Sequence, residues 1–73
     1  MATINSRRIV DDIIRGDGYY EGDPRVVKIV QYNNQFDGGL AYGLVYAADG
    51  KAAYNRYETA PACHNPVVIW EAK

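Results

Sequence analysis

Two tyrosine-containing segments have the residue types best suited to binding a ligand in this chain of 73 residues, which has seven tyrosines. A tyrosine joins a large apolar ring to a hydroxyl group, which suits stacked ligands and protein interfaces. Tyr54 and Arg56 lie two residues apart in a segment with strand character, so their side chains share one face. We expect Tyr54 to stack on a planar group and Arg56 to pair with an anionic one.

The second segment is a turn-rich loop, residues 16–24, that combines two adjacent tyrosines with three carboxylates and is followed by a basic residue. These residues are Tyr19, Tyr20, Asp17, Glu21, Asp23 and Arg25. We expect Tyr19, Tyr20 and Arg25 to close over a ligand held by the first segment. The alternative is that the tyrosines fill the core and a subunit interface, because aromatic residues are common in strands.

Residues that could catalyse a reaction are few. His64 is the sole histidine and lies next to the sole cysteine, Cys63. A nucleophile and its base need hydrogen-bond contact, which neighbours in an extended segment seldom make because they point to opposite faces. The acids of residues 17–23 miss the spacing of a calcium loop, and no glycine run matches a phosphate loop. We therefore predict no enzyme, no metal site and no cofactor.

The elements that must position these residues are a helix and four strands. Apolar residues at helical spacing predict a helix over about residues 6–15, with Asn5 or Ser6 as its cap and Gly16 as its left-handed end. Valine, isoleucine and tyrosine dominate the rest of the chain and favour strands. The predicted strands cover residues 25–32, 40–47, 51–57 and 66–71.

The pair Asp49-Gly50 predicts a two-residue hairpin turn between the second and third strands. In that register Gly43 lies opposite Arg56, and its missing side chain leaves a notch for the ligand. The simplest arrangement is an α-β-β-β-β antiparallel meander. The predicted fold class is therefore α+β, with a short N-terminal helix followed by a four-stranded sheet, in one domain over residues 1–73.

Composition and charge exclude several classes of function. Eight basic and nine acidic residues give a net charge of −1, which argues against a duplex-DNA binder. No stretch approaches the roughly 18 apolar residues of a membrane span, and the N-terminus lacks the apolar region of a signal peptide. A single cysteine cannot form an internal disulfide. We therefore predict a cytoplasmic protein.

Small size predicts self-association. A core of this length rarely supplies more than about 3–5 kcal/mol, and neither disulfides nor zinc are available to add to it. Apolar residues lie on both faces of the predicted sheet, whereas a ten-residue helix covers only one. We expect a homodimer or a higher homo-oligomer. The alternative is a monomer whose loops fold over the second face.

Several turn and strand motifs of the chain resemble those of a group of short proteins. Residues 20–24 (YEGDP), 32–34 (YNN), 36–39 (FDGG) and 41–46 (AYGLVY) follow one another as they do in short bacteriophage and prophage proteins. Those proteins have a Y-x-G-D-P turn before a basic strand and an F-G-G-x-A-Y-x-L-V-Y hairpin. The resemblance covers roughly residues 19–70 and departs from the pattern by the extra Asp37. It implies a viral accessory protein inside a bacterial host and carries over no functional residue.

Taken together, the sequence predicts a non-catalytic binding protein that antagonises host defence. The specific expectation is a homo-oligomer that sequesters a small anionic ligand, such as a nucleotide signal, between its subunits. One alternative is an inhibitor that binds a host protein directly through the acidic loop. A second is a single-stranded nucleic-acid binder with cations at the margins of a tyrosine-rich face, although the near-neutral charge argues against it. Those cations are Arg25, Lys28, Lys51 and Arg56.

Overall fold

The computed structural model describes residues 3–36, 38–48 and 63–72. They form one helix and one antiparallel sheet, so the predicted α+β class is confirmed. The elements are β1 (Thr3–Ile4), α1 (Arg7–Arg15), β2 (Val26–Asn34), β3 (Leu40–Tyr46) and β4 (Cys63–Glu71). Three strands are long, and β1 adds two residues at one edge. Among the described residues, no helix has the length and apolar character needed to cross a membrane.

The strand order differs from the predicted meander. The order is β1-β3-β2-β4, so the last strand pairs with the first long strand, whereas a meander would put those two strands at opposite edges. The edge of β3 that faces away from β2 pairs with β1, which places Thr3 opposite Gly43 and Ile4 opposite Tyr42. The predicted strand over 51–57 and its turn lie outside the described residues.

Helix α1 begins close to where the apolar spacing predicts. Ser6 is the N-cap, and its side chain accepts a hydrogen bond from the backbone N–H of Ile9 at 3.4 Å. The polar side carries two ion pairs, Arg7–Asp11 at 3.1 Å and Arg15–Asp12. Such exposed pairs contribute little, so the buried stripe holds the helix in place.

The end of α1 is a Schellman motif, displaced by one residue from the prediction. The Gly18 N–H donates to the carbonyl of Ile13 at 2.8 Å, and the Asp17 N–H donates to Ile14 at 3.1 Å. The left-handed residue of this motif is Asp17, with φ 53°, whereas Gly16 has φ −86°. Aspartate tolerates the left-handed conformation better than most residues. The expected left-handed Gly16 is therefore wrong.

The main core lies between α1 and the sheet. Its buried residues are Ile4, Val10, Ile13, Val26, Ile29, Tyr42 and Leu44. Strict alternation along β2 predicts that Val26 faces away from Ile29. A register shift between Val26 and Lys28 instead places Val26 opposite Tyr46 and inside this core. A β-bulge of this kind inserts one residue and reverses the alternation beyond it.

The opposite face of the sheet is also buried within the single chain. The exposed fractions there are 0% for Val30, 3% for Val45, 6% for Ala41 and 7% for Tyr32. The prediction of self-association started from an apolar face left open by the helix, and these four residues are not open. The homo-oligomer stays a prediction, without support from this face.

Candidate functional site

The loop that joins α1 to β2 presents an aromatic ring to the solvent. We call residues 16–25 the Tyr19 loop. Tyr19 is 62% exposed. The guanidinium carbon of Arg25 lies over its ring, 5.3 Å from the ring centroid. Two of the three residues predicted to form a lid are thus in direct contact.

Arg25 is held in place by Asp17 at the other end of the loop. Its Nε donates to the Asp17 carbonyl oxygen at 3.2 Å, and its Nη2 donates to the Asp17 carboxylate at 3.1 Å. The Arg25 side chain is 28% exposed, so this ion pair is partly shielded from water. The guanidinium is thus already engaged by a carboxylate and a ring, and the role of Arg25 in binding an anionic ligand stays a prediction.

Left-handed backbone conformations are concentrated in the Tyr19 loop. Four of the six residues from 17 to 22 have a positive φ: Asp17, Gly18, Glu21 and Gly22. Gly18 is buried, and a Cβ atom there would clash with the carbonyl oxygen of Val26. The Val26 N–H donates to the Gly18 carbonyl at 2.9 Å, which ties the loop to the start of β2. The loop is therefore anchored to the sheet through Gly18.

The two adjacent tyrosines have different environments. Tyr20 is half-buried, packs against the main core and lines a cavity of about 90 Å³ between α1, the Tyr19 loop and the sheet. The lining residues are Ile4, Ile9, Ile13, Tyr20, Asp23, Pro24, Val26, Leu44 and Tyr46. Tyr20 therefore belongs to the wall of an apolar cavity, whereas Tyr19 belongs to the outer surface.

The charge left on the Tyr19 loop is negative. Asp17 is neutralised by Arg25. Glu21 and Asp23 are exposed, and neither forms an ion pair with another residue in the described part of the chain. The exposed ring of Tyr19 thus lies on a loop with two carboxylates that have no counterion among the described residues.

The predicted ligand pocket at Tyr54 and Arg56 falls outside the described residues. Its third member, Gly43, is buried in β3. Gly43 lies opposite Val30 on one side and Thr3 on the other. Because both lateral positions are taken by β2 and β1, the predicted pairing of Gly43 with Arg56 is wrong.

The other candidate functional residues lie in the strands. Cys63 and His64 begin β4 rather than lying in a loop, and His64 is exposed opposite Asn33. Lys28, a candidate for nucleic-acid binding, pairs with Glu71 at 3.2 Å. Within residues 3–36, 38–48 and 63–72, no group of three or more histidine, cysteine, aspartate or glutamate residues could hold a metal ion.

Sequence reasoning identified Tyr19 and Arg25 but missed what connects them. The loop composition shows several acids near one arginine, which hints at an ion pair without selecting Asp17. The cavity has no sequence signal, because its walls come from four different elements and a loop. Comparisons with protein-family models, curated proteins and solved structures found no match. The site is therefore defined by the geometry of the Tyr19 loop.

Proposed function

We propose that this protein is a non-catalytic binding protein that docks on a partner protein through the Tyr19 loop. The observation that carries the proposal is the presentation of Tyr19, whose exposed ring rests on an arginine that Asp17 fixes in place. Tyrosine is among the residues that contribute most to protein interfaces. A ring already held in its binding position loses little entropy on association.

The charge of the loop defines the partner's surface. Glu21 and Asp23 lie on the Tyr19 loop without an ion pair among the described residues. Carboxylates of this kind favour a basic partner surface and speed the encounter with it. The resemblance to bacteriophage proteins suggests that the partner is a bacterial protein, and that occupying it inhibits a host defence.

Capture of a small anionic ligand finds less support among the described residues. Arg25 is engaged by Asp17, and the described lining of the cavity includes one carboxylate and no cation. That version of the function depends on Tyr54 and Arg56. We therefore retain it as an alternative outcome of the experiment.

The test compares two exposed aromatic residues in different loops. The immobilised protein is incubated with a bacterial lysate, and the bound proteins are identified by mass spectrometry for the parent, Tyr19→Ala and Phe36→Ala. Phe36 is 80% exposed, so its removal changes a similar amount of aromatic surface. We expect Tyr19→Ala to lower the recovery of a specific partner at least tenfold and Phe36→Ala to leave it within twofold.

The thermal midpoints of both variants serve as a folding control. Neutralising the two carboxylates together, by Glu21→Gln and Asp23→Asn, should slow association and flatten its dependence on salt. Equal recovery with Tyr19→Ala and the parent would refute the proposal. Co-purification of a small anionic compound that is lost in Arg56→Ala would point to ligand capture instead. Binding of a labelled single-stranded oligonucleotide at low salt would point to nucleic acid.

A further inference from the structure

We infer that the cavity behind the Tyr19 loop is a binding site for a basic side chain, a lysine or an arginine, of the partner protein. The inference rests on the proposed function and assigns a chemical class to what the site holds. It depends on the size of the cavity, the nature of its walls and the position of Asp23.

The cavity suits a slender apolar chain. Its volume is about 90 Å³, whereas an engineered apolar cavity known to hold a benzene ring has about 150 Å³. Every lining residue except Asp23 is an isoleucine, leucine, valine, proline or tyrosine. The alkyl stem of a lysine or arginine is slender and apolar along most of its length. Such a stem fits these walls better than a ring does.

The polar part of the lining selects a cation. Asp23 is exposed and lines the cavity, so the lining includes a negatively charged residue that solvent reaches. Tyr20 and Tyr46 also line the cavity, and aromatic rings attract cations. An aliphatic side chain would fill the space but leave the carboxylate without a partner. An acidic side chain would be repelled by it.

The position of Asp23 is fixed by the backbone. Its N–H donates to the Tyr20 carbonyl oxygen at 2.9 Å. The following residue is Pro24, which restricts Asp23 to extended backbone conformations. These two local constraints fix the backbone of Asp23, which lines the cavity, so the loop need not rearrange for its carboxylate to pair with a cationic head group.

The test uses small mimics of the side chains in place of the partner. The probes are n-butylguanidinium and n-butylammonium, with 1-pentanol and pentanoate as neutral and anionic controls of similar length. Binding is followed by methyl NMR of the isoleucines. We expect the two cations to shift the methyl signals of Ile4, Ile9 and Ile13, which line the cavity, and to leave Ile69, which does not, unchanged.

Matched carboxylate variants identify the group that selects the cation. Asp23→Asn should weaken binding of n-butylguanidinium about two- to fivefold, as expected for a solvent-accessible ion pair. Asp11→Asn, which removes an exposed carboxylate of α1 outside the cavity lining, should leave it unchanged. Ile9→Phe fills the cavity from a half-buried position and should abolish the shifts while the protein stays folded.

Equal shifts with 1-pentanol and the cations, or an unchanged affinity in Asp23→Asn, would overturn the inference in favour of a simple apolar cavity. Absence of any shift would overturn it as well. These results are separable from the proposed function. If Tyr19→Ala loses partner capture but the parent does not bind the cations, the proposed function is supported and the inference about the cavity is not. Binding of the cations with capture unaffected by Tyr19→Ala leaves a site for alkyl cations and removes the function.

Discussion

Two loops of this protein each present one aromatic residue to the solvent, and they are built in different ways. Tyr19 is 62% exposed and lies against Arg25. Phe36 is 80% exposed in the hairpin loop between β2 and β3, where its N–H donates to the side chain of Asn34 at 2.8 Å. The Gly38 N–H donates to the carbonyl of the same asparagine, also at 2.8 Å.

The two loops differ in how far apart in the sequence their bonded residues lie. The hairpin loop is held by hydrogen bonds between residues at most five positions apart, including that of the Asn33 side chain with the Gly38 carbonyl. The Tyr19 loop is closed by contacts over eight positions, from Asp17 to Arg25 and from Gly18 to Val26. Because Val26 belongs to the main core, the shape of the Tyr19 loop depends on the packing of the whole domain.

The largest expected effect is that of Gly18→Ala. A Cβ atom at Gly18 would clash with the Val26 carbonyl oxygen, and its φ of 92° is unfavourable for alanine. We expect a loss of about 3 kcal/mol or more in the free energy of unfolding. A domain of this size has about 3–5 kcal/mol in total, so the variant should be largely unfolded. Urea denaturation followed by circular dichroism measures the loss.

Gly38→Ala is the matched control in the hairpin loop. Gly38 also has a positive φ, 71°, but a Cβ atom added there would meet no described atom within 4 Å. Only the backbone preference is lost, which amounts to about 1–2 kcal/mol. If both variants lose the same stability, the close approach of Gly18 to β2 does not hold the Tyr19 loop.

Arg25→Ala should have the next largest effect. It removes two hydrogen bonds to Asp17 and the contact with the Tyr19 ring. We expect a loss of about 1–2 kcal/mol in stability, together with a loss of partner capture. Arg25→Lys keeps the charge but lacks the planar guanidinium that makes both hydrogen bonds and lies over the ring, so it should recover only part of the binding. Full capture by Arg25→Ala would show that the ring needs no support.

Asn34→Ala tests the hairpin loop and should lower the stability less than Arg25→Ala. It removes the side-chain acceptor of the Phe36 N–H in an exposed turn. We expect a loss of about 0.5–1 kcal/mol, measured by the same denaturation experiment, with partner capture unchanged. A loss as large as that of Arg25→Ala would contradict the contrast between the two loops.

The smallest effect on stability is expected for a substitution that tests the predicted homo-oligomer. The exposed apolar residues nearest the hairpin end are Phe36, Leu40 and Val67. If copies of the chain associate there, light scattering at micromolar concentration should give the mass of at least two 8.2 kDa chains. Leu40→Ser, at a position 50% exposed, should then reduce it to one chain without loss of stability. A single-chain mass for the parent would contradict the prediction.

Local sequence patterns were sufficient to predict where α1 and β3 lie in the chain. The spacing of Ile9, Val10, Ile13 and Ile14 placed α1 within one residue at its start, and alternation placed β3 to within one residue of its end. These patterns repeat every 3.6 or two residues, so a short window of the chain contains them. The start of β4 was missed by three residues, because Cys63, His64 and Asn65 have no such pattern.

Local sequence patterns predict one short helix, an antiparallel sheet and a tyrosine-bearing acidic loop. They do not predict that β4 lies beside β2, that Val26 faces the helix, or that Asp17 holds Arg25 beneath Tyr19; these features come from the folded chain. The physical reason is that periodicity depends on each residue's immediate neighbours. The choice of a strand's partner or of a charge's counterion depends instead on which distant groups compete for the same place.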